Sequence, residues 1–238
     1  VYTEYFPNGV VMKKGQYSDG EKNGKWLVYN ELGELELDMT YKAGDLDGAY
    51  KVWTGKKLRA IYNYRNGNKE GAQYFYGDEG KIALALMYDD GELTGYSHEG
   101  KDGKLLPEKP LKSTETRKNA TYANGNKSAD LVVDGLLLKG AMTIYYGNGN
   151  KCEVRNYNDM GLHGSVTRYN ADGKMTYESY YEDGEQHGTE KYWDANGLLL
   201  LNINYQWNER HGATEWRNDG SSPMNHFYYH YGLLTAAN

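Results

Sequence analysis

Apolar and polar positions alternate strictly in short bursts along this chain. Leu35, Leu37, Met39 and Tyr41 fall on one side of a two-residue period, with Glu34, Glu36, Asp38 and Thr40 on the other. Ile82, Leu84, Leu86 and Tyr88 repeat the pattern, and so do Leu199, Leu201, Ile203 and Tyr205. A period of two describes a strand with one buried face. No stretch sustains the 3.6-residue period of an amphipathic helix, so the pattern predicts an all-β chain.

The bursts recur at nearly constant spacing, which marks an internal repeat. One glycine column runs Gly9, Gly33, Gly55, Gly80, Gly103, Gly125, Gly149, Gly173, Gly197, Gly220, in steps of 22 to 25 residues. Asn or Asp precedes seven of the ten: Asn8, Asp102, Asn124, Asn148, Asp172, Asn196 and Asp219. Asn-Gly and Asp-Gly between apolar runs are the strongest short-range hairpin signal. Of this column, Gly9, Gly33, Gly80, Gly125, Gly149, Gly173, Gly197 and Gly220 are assigned as structural turn glycines.

A second pattern, Y-x-x-G-x-x-x-G, alternates with the first. It reads Tyr17, Gly20, Gly24; Tyr41, Gly44, Gly48; Tyr64, Gly67, Gly71; Tyr88, Gly91, Gly95; and Tyr181, Gly184, Gly188. In two further copies Met160 and Asn208 replace the first glycine. Asn tolerates a left-handed backbone, so Asn208 is a conservative exchange. Met160 is not, and a shift onto Gly161 is the expected accommodation. Each unit is then two strands and two turns.

An aromatic column precedes the Asn/Asp-Gly turns: Tyr29, Trp53, Tyr76, Tyr145, Tyr169, Trp193 and Trp216. A two-residue loop would set Tyr169 opposite Thr176, on the polar face. A three-residue loop with a glycine bulge would set it opposite Met175, on the apolar face. The second is favoured because it gathers the aromatics on one face. These seven side chains are the candidate interface, although a column present in every unit is also the scaffold's own packing.

Composition changes the picture in two ways. The chain has 238 residues, with 25 Tyr, 30 Gly and only 4 Pro, an aromatic content that separates it from disordered chains. Its formal charge of −6 argues against nucleic acid and anionic membranes as partners. No run of 18 apolar residues predicts membrane insertion. The single cysteine, Cys152, excludes an internal disulfide and reads as a small buried hydrophobe. The chain starts at Val1, so the compartment stays open between cytoplasmic and exported after signal-peptide removal.

Candidate chemistry is weighed against this repeat. His163, His187 and His211 recur every 24 residues and invite a metal site. Equivalent positions in successive hairpins lie two strands, roughly 9–10 Å, apart. Nitrogens so far apart cannot share a zinc that holds each ligand at about 2 Å. Asn23, Asp47, Glu70, Thr94 and Lys139 occupy comparable places in other units, which makes the column a polar position before a turn glycine. Asp183, Glu185 and Asp194 suggest acid–base work, but Asp19, Asp45 and Asp90 recur in equivalent turn segments, where Asp suits the geometry. No catalytic residue, metal or cofactor is assigned.

The combination of Y-x-x-G-x-x-x-G, a strand carrying Tyr or Trp, an N/D-G turn and a second strand resembles the MORN-repeat family in its bacterial variant. The resemblance covers about ten units. It implies an elongated single-layer antiparallel sheet of about ten successive β-hairpins, a single array over 1–238 with an irregular unit or break at about 96–120, where Pro107 and Pro110 interrupt the rhythm. In bacteria such arrays occur in a YwqK-type antitoxin family of toxin–antitoxin systems. The function expected is therefore a non-catalytic repeat scaffold that binds a protein partner, with toxin neutralisation as its concrete form. The alternative is an exported surface module binding glycan through its aromatic rows. Uncovered terminal strands also suggest end-to-end self-association.

Overall fold

The computed structural model describes all residues except Asp78, Glu79, Ser113, Glu115, Asn218, Asp219, Ser221 and Asn238. Asp219, expected to precede a turn glycine, therefore lies outside the described residues. The described residues contain strands and turns and no helix.

The first sheet holds β1 (Tyr2–Tyr5), β2 (Val11–Ser18), β3 (Glu21–Tyr29), β4 (Leu35–Lys42), β5 (Asp45–Thr54), β6 (Lys57–Arg65), β7 (Asn68–Lys69), β8 (Gly71–Tyr76), β9 (Ile82–Asp89), β10 (Glu92–Ser97) and β11 (Lys109–Pro110). The second holds β12 (Thr116–Thr121), β13 (Lys127–Asp134), β14 (Leu137–Leu138), β15 (Gly140–Tyr145), β16 (Lys151–Asn158), β17 (Gly161–Tyr169), β18 (Met175–Glu182), β19 (Glu185–Trp193), β20 (Leu199–Gln206), β21 (Glu209–Trp216), β22 (Asn225–His230) and β23 (Leu233–Ala237). Within each sheet the strands pair antiparallel in chain order, as successive hairpins, except that the two-residue β7 and β14 branch off: β6 pairs with both β7 and β8, and β13 with both β14 and β15. The boundary between the sheets falls inside the irregular segment. By packing, the chain forms two units: 1–113 with 120–128, and 114–119 with 129–238.

The Asn/Asp-Gly turns at Gly9, Gly103, Gly125, Gly149, Gly173 and Gly197 are three-residue loops. At Gly173 the amide donates to Asn170 O (3.0 Å), Asn170 N donates to Lys174 O (2.8 Å), and φ is +83°. Tyr169 consequently pairs with Met175, the apolar-face register. Gly9, Gly33, Gly125, Gly149 and Gly197 close their loops in the same way, each with positive φ. Gly80 has φ +70°. A Cβ on Gly220 would come within 3.1 Å of the Leu198 side chain. The preceding Asn or Asp also shapes the loop, since Asn8, Asn124 and Asn148 each accept the amide two residues on. This is the Asx-turn that makes these residues suit the site.

The tyrosine and second glycine of Y-x-x-G-x-x-x-G meet across neighbouring units. Gly24 pairs with Tyr41, Gly48 with Tyr64, Gly71 with Tyr88, Gly164 with Tyr181 and Gly188 with Tyr205. A glycine thus stands opposite each of these tyrosines in the ladder, with φ between +65° and +111°. Burial pushes the Tyr64 hydroxyl up to about 12 and raises that of Tyr41.

In the first unit these rows form an aromatic core. Trp26, 1% exposed, contacts the rings of Tyr2, Tyr17 and Tyr41 at 4.9–6.4 Å, and its indole N–H donates to Gln16 O. One expectation changes here. β9 buries Ala83 and Ala85 as well as Leu84 and Leu86, so both of its faces are covered. Residues 120–128 belong to this unit, and the Ser128 hydroxyl donates to Ala83 O at 2.6 Å.

Candidate functional site

Two features of the second unit depart from the repeat's own rules. The first is a buried ionic cluster. Positions that hold Leu84 and Leu86 in β9, or Leu201 and Ile203 in β20, hold Glu153 and Arg155 in β16. Glu153 pairs across the ladder with Arg168, Arg168 with Tyr177, and Tyr177 with Tyr192. Arg155 Nε donates to Glu153 Oε1, and Arg168 Nε donates to Glu153 Oε2 at 2.6 Å. The Arg168 guanidinium lies 4.1 Å from the centre of the Tyr177 ring. The Tyr177 and Tyr192 hydroxyls both donate to Glu190 Oε1, at 2.7 and 3.2 Å.

Burial acting alone would raise the Glu153 carboxyl, but the two guanidinium charges outweigh it and hold the group at about 2. Burial likewise drives the Tyr177 hydroxyl well up. Both Glu153 oxygens are occupied by arginine, and its ionisation is locked far below neutral pH. A general acid or base needs a pKa near its working pH. The cluster therefore acts as a structural bolt across β16–β19.

The second feature is the row of hairpin corners at the other end of the strands from the Asn/Asp-Gly loops. The corners Asp19-Gly20, Ala43-Gly44, Asn66-Gly67, Asp90-Gly91, Asp183-Gly184, Trp207-Asn208 and Tyr231-Gly232 all have positive φ at both residues, the I′ signature. Each corner is tied to the one before it. Gly44 N donates to Lys22 O, Gly67 N to Leu46 O, Gly184 N to Leu162 O, Asn208 N to Gln186 O and Gly232 N to Arg210 O, at 2.7–3.0 Å. Asn208, with φ +65°, fills the glycine's place as expected. At Met160 the loop length is unchanged, Asn158 pairing with Gly161, and the positive φ (+125°) moves onto Gly161.

The histidine column serves this row. Asp47 and Glu70 carboxylates accept the amide of the next hairpin's corner, Asn66 and Asp90. His163 and His211 do the same with Nδ1, accepting from Asp183 N and Tyr231 N at 3.4 Å. The His187 ring packs against Trp207 at 4.7 Å, and His211 against Tyr231 at 4.5 Å. All three histidines thus engage the neighbouring corner, which is a structural use of the column.

The corner residues themselves differ between the units. In the first unit they are Asp, Ala or Asn. In the second, Leu136 (43% exposed), Met160 (72%), Trp207 (48%) and Tyr231 (45%) stand at four of five consecutive corners. A left-handed backbone costs a non-glycine residue roughly 1–2 kcal/mol, and a short polar side chain offsets part of that by local hydrogen bonding. Trp207 (φ +52°) and Tyr231 (φ +44°) have no such offset. At Trp207 and Tyr231 bulky groups are thus displayed where turn geometry favours Asn, while at Leu136 and Met160 the positive φ falls on the neighbouring Gly135 and Gly161. Asp134, Asp159, Glu182, Asp183, Glu185 and Glu209 flank the row against Lys139 and Arg210, so it is acidic. Lys139 is itself shared between Asp134 and Asp159, at 3.0 and 3.5 Å.

The aromatic column singled out in the sequence lies at the opposite strand ends. Tyr29, Trp53, Tyr76, Tyr145, Tyr169 and Trp193 are half-buried and pair with Leu35, Leu58, Ile82, Lys151, Met175 and Leu199. The Tyr145 hydroxyl donates to Asp130. Trp216 stands outside the column. It pairs with Leu201, as Tyr192 does, and is buried in that row. The reason is spacing: it follows Gly212 by four residues, whereas Trp193 follows Gly188 by five.

These features define a class: an all-β array of antiparallel hairpins in which a Tyr and a Gly of successive units lock together. A family model described as the MORN repeat variant matches residues 1–19 and 162–184. The second stretch carries His163-Gly164, the Gly173 loop, Tyr181 and Gly184, and over both stretches the chain is similar to that family. Comparison with curated proteins gave no match.

Proposed function

We propose that the chain is a non-catalytic repeat scaffold that holds a protein partner along the corner row of its second unit. The observation that carries this reading is the exposure of Leu136, Met160, Trp207 and Tyr231 at four of the five corners of the second unit, two of them, Trp207 and Tyr231, in the left-handed conformation that favours Asn or Gly. Exposed apolar groups at four of five corners, interrupted by the polar Asp183-Gly184 corner and with acidic neighbours, have the character of a contact surface. The local strain at Trp207 and Tyr231 points the same way, since unfavourable backbone geometry concentrates at functional positions. The concrete partner is a toxin, the role implied by the resemblance to bacterial MORN-variant antitoxins, and the acidic border suits a basic one.

The test is affinity purification of the tagged chain from its native host under gentle lysis, beside a Met160→Asn/Trp207→Asn/Tyr231→Asn variant. A partner that co-purifies with the first, is lost with the second, and arrests growth when expressed alone supports the proposal. Recovery of the chain by itself, or a partner indifferent to the three changes, overturns it.

A further inference from the structure

The corner row has a spacing, and the spacing selects among peptide conformations. Consecutive corners are two strands apart, about 9.4–9.8 Å at the usual strand separation. An extended β-strand repeats a face every two residues, about 6.6–6.8 Å, so it meets successive corners out of step. A helix with one apolar residue per heptad repeats at about 10.5 Å and drifts by roughly 1 Å at each corner. A polyproline II segment has three residues per turn and rises about 3.1 Å per residue, so it repeats a face every ~9.3 Å.

The surface chemistry agrees with the last of these. Trp207 is backed by the His187 ring, and Tyr231 by His211 and His230, at 4.5–4.8 Å. The result is a run of aromatic and imidazole rings across two adjacent corners, half-exposed and fixed by the Asn208 N to Gln186 O and Gly232 N to Arg210 O bonds. Grooves lined by aromatic rings are the surfaces on which proline-rich helices dock. Glu182, Asp183, Glu185 and Glu209 border these two corners, with Arg210 the neighbouring cation, and Arg210 is drawn over the Tyr229 ring at 5.6 Å. An acidic border favours a basic residue beside the prolines.

We infer that the Trp207–Tyr231 end of the corner row binds a basic, proline-rich segment of its partner in the polyproline II conformation, one turn of the segment per hairpin. This deepens the reading of the row as a protein-contact surface and rests on it. The segment's prolines at i and i+3 sit on Trp207 and Tyr231, and an arginine at one end faces the carboxylates.

The test uses the full chain and three labelled peptides of about 12 residues: Pro-x-x-Pro repeats with a terminal arginine, the same peptide with alanine for proline, and a basic helix with leucine at heptad spacing. Binding is read by fluorescence anisotropy for the wild type, Trp207→Asn and Tyr231→Asn. Both variants keep the fold, because Asn66 holds the equivalent corner with φ +48°. The proline peptide is expected to bind, with affinity falling about tenfold or more in each variant. Equal binding of the alanine peptide, binding indifferent to both variants, or binding of no peptide overturns the inference. Tighter, variant-sensitive binding of the heptad helix overturns the polyproline assignment while leaving the corner row as the contact surface. The row itself falls only if capture of the native partner is also unaffected.

Discussion

Replacing Glu153 by Gln removes the charge that holds Arg155 and Arg168 in the second unit while keeping the side chain's shape. The folded carboxyl sits at about 2 against an ordinary value of 4.5, because the two arginine charges overcome the effect of burial. A depression of that size corresponds to about 3 kcal/mol. The sign follows from the direction. A depressed folded pKa gives stability that is fully present above 4.5 and is lost as pH falls through 2. At pH 7 the Gln variant should therefore be less stable by about 3 kcal/mol, within the range for breaking a buried ion pair from one side. At pH 3, between the folded and unfolded values, less than half of the wild-type advantage should remain. Urea unfolding of both proteins at the two pH values reads the numbers directly. A difference below about 1 kcal/mol at pH 7, or one that does not shrink at pH 3, would refute the account of Glu153 as an ionised bolt between two arginines.

Two further outcomes follow from the same rows. Converting the ion triad to residues its positions hold elsewhere, Glu153→Leu with Arg155→Leu and Arg168→Val, should leave stability within about 1 kcal/mol of wild type or raise it, since the three charges leave together and Glu190 keeps its two tyrosine hydrogen bonds; the urea midpoint checks this. Gly15→Ala would place a methyl 2.2 Å from the Trp26 ring, which is buried and tethered to Gln16 O, so overpacking should cost about 1–3 kcal/mol. A lowered melting temperature with a changed tryptophan emission would show it, and an unchanged melting temperature would contradict it.

Much of the architecture was legible because each unit writes its turns explicitly. The Asn/Asp-Gly pairs announce loops whose closing bonds are those of a three-residue turn, and the two-residue alternation announces strands. Asn208 could be read as a glycine substitute for the same local reason. The ionic cluster was also written in the sequence, as Glu153 and Arg155 at positions that hold Leu37 and Met39, Leu84 and Leu86, or Leu201 and Ile203 in other units, but alternation within one strand does not reveal it. Only aligning the units column by column exposes the exchange. The aromatic rows drew attention to the opposite strand ends. Tyr and Trp at a repeated position stand out in a column, whereas exposed Leu136, Met160, Trp207 and Tyr231 are irregular intrusions at corners that no column reveals.

The sequence by itself determined the strands, the turns and their period, because those depend on φ preferences and side-chain alternation within a few residues of one another. Tertiary structure decided which side chains the ladder brings together. Glu153 finds Arg168 fifteen residues on, Gly188 faces Tyr205, and Trp207 leans on His187. Those pairings depend on register across neighbouring hairpins, and a single residue's shift, as at Trp216, moves a ring from one row to another.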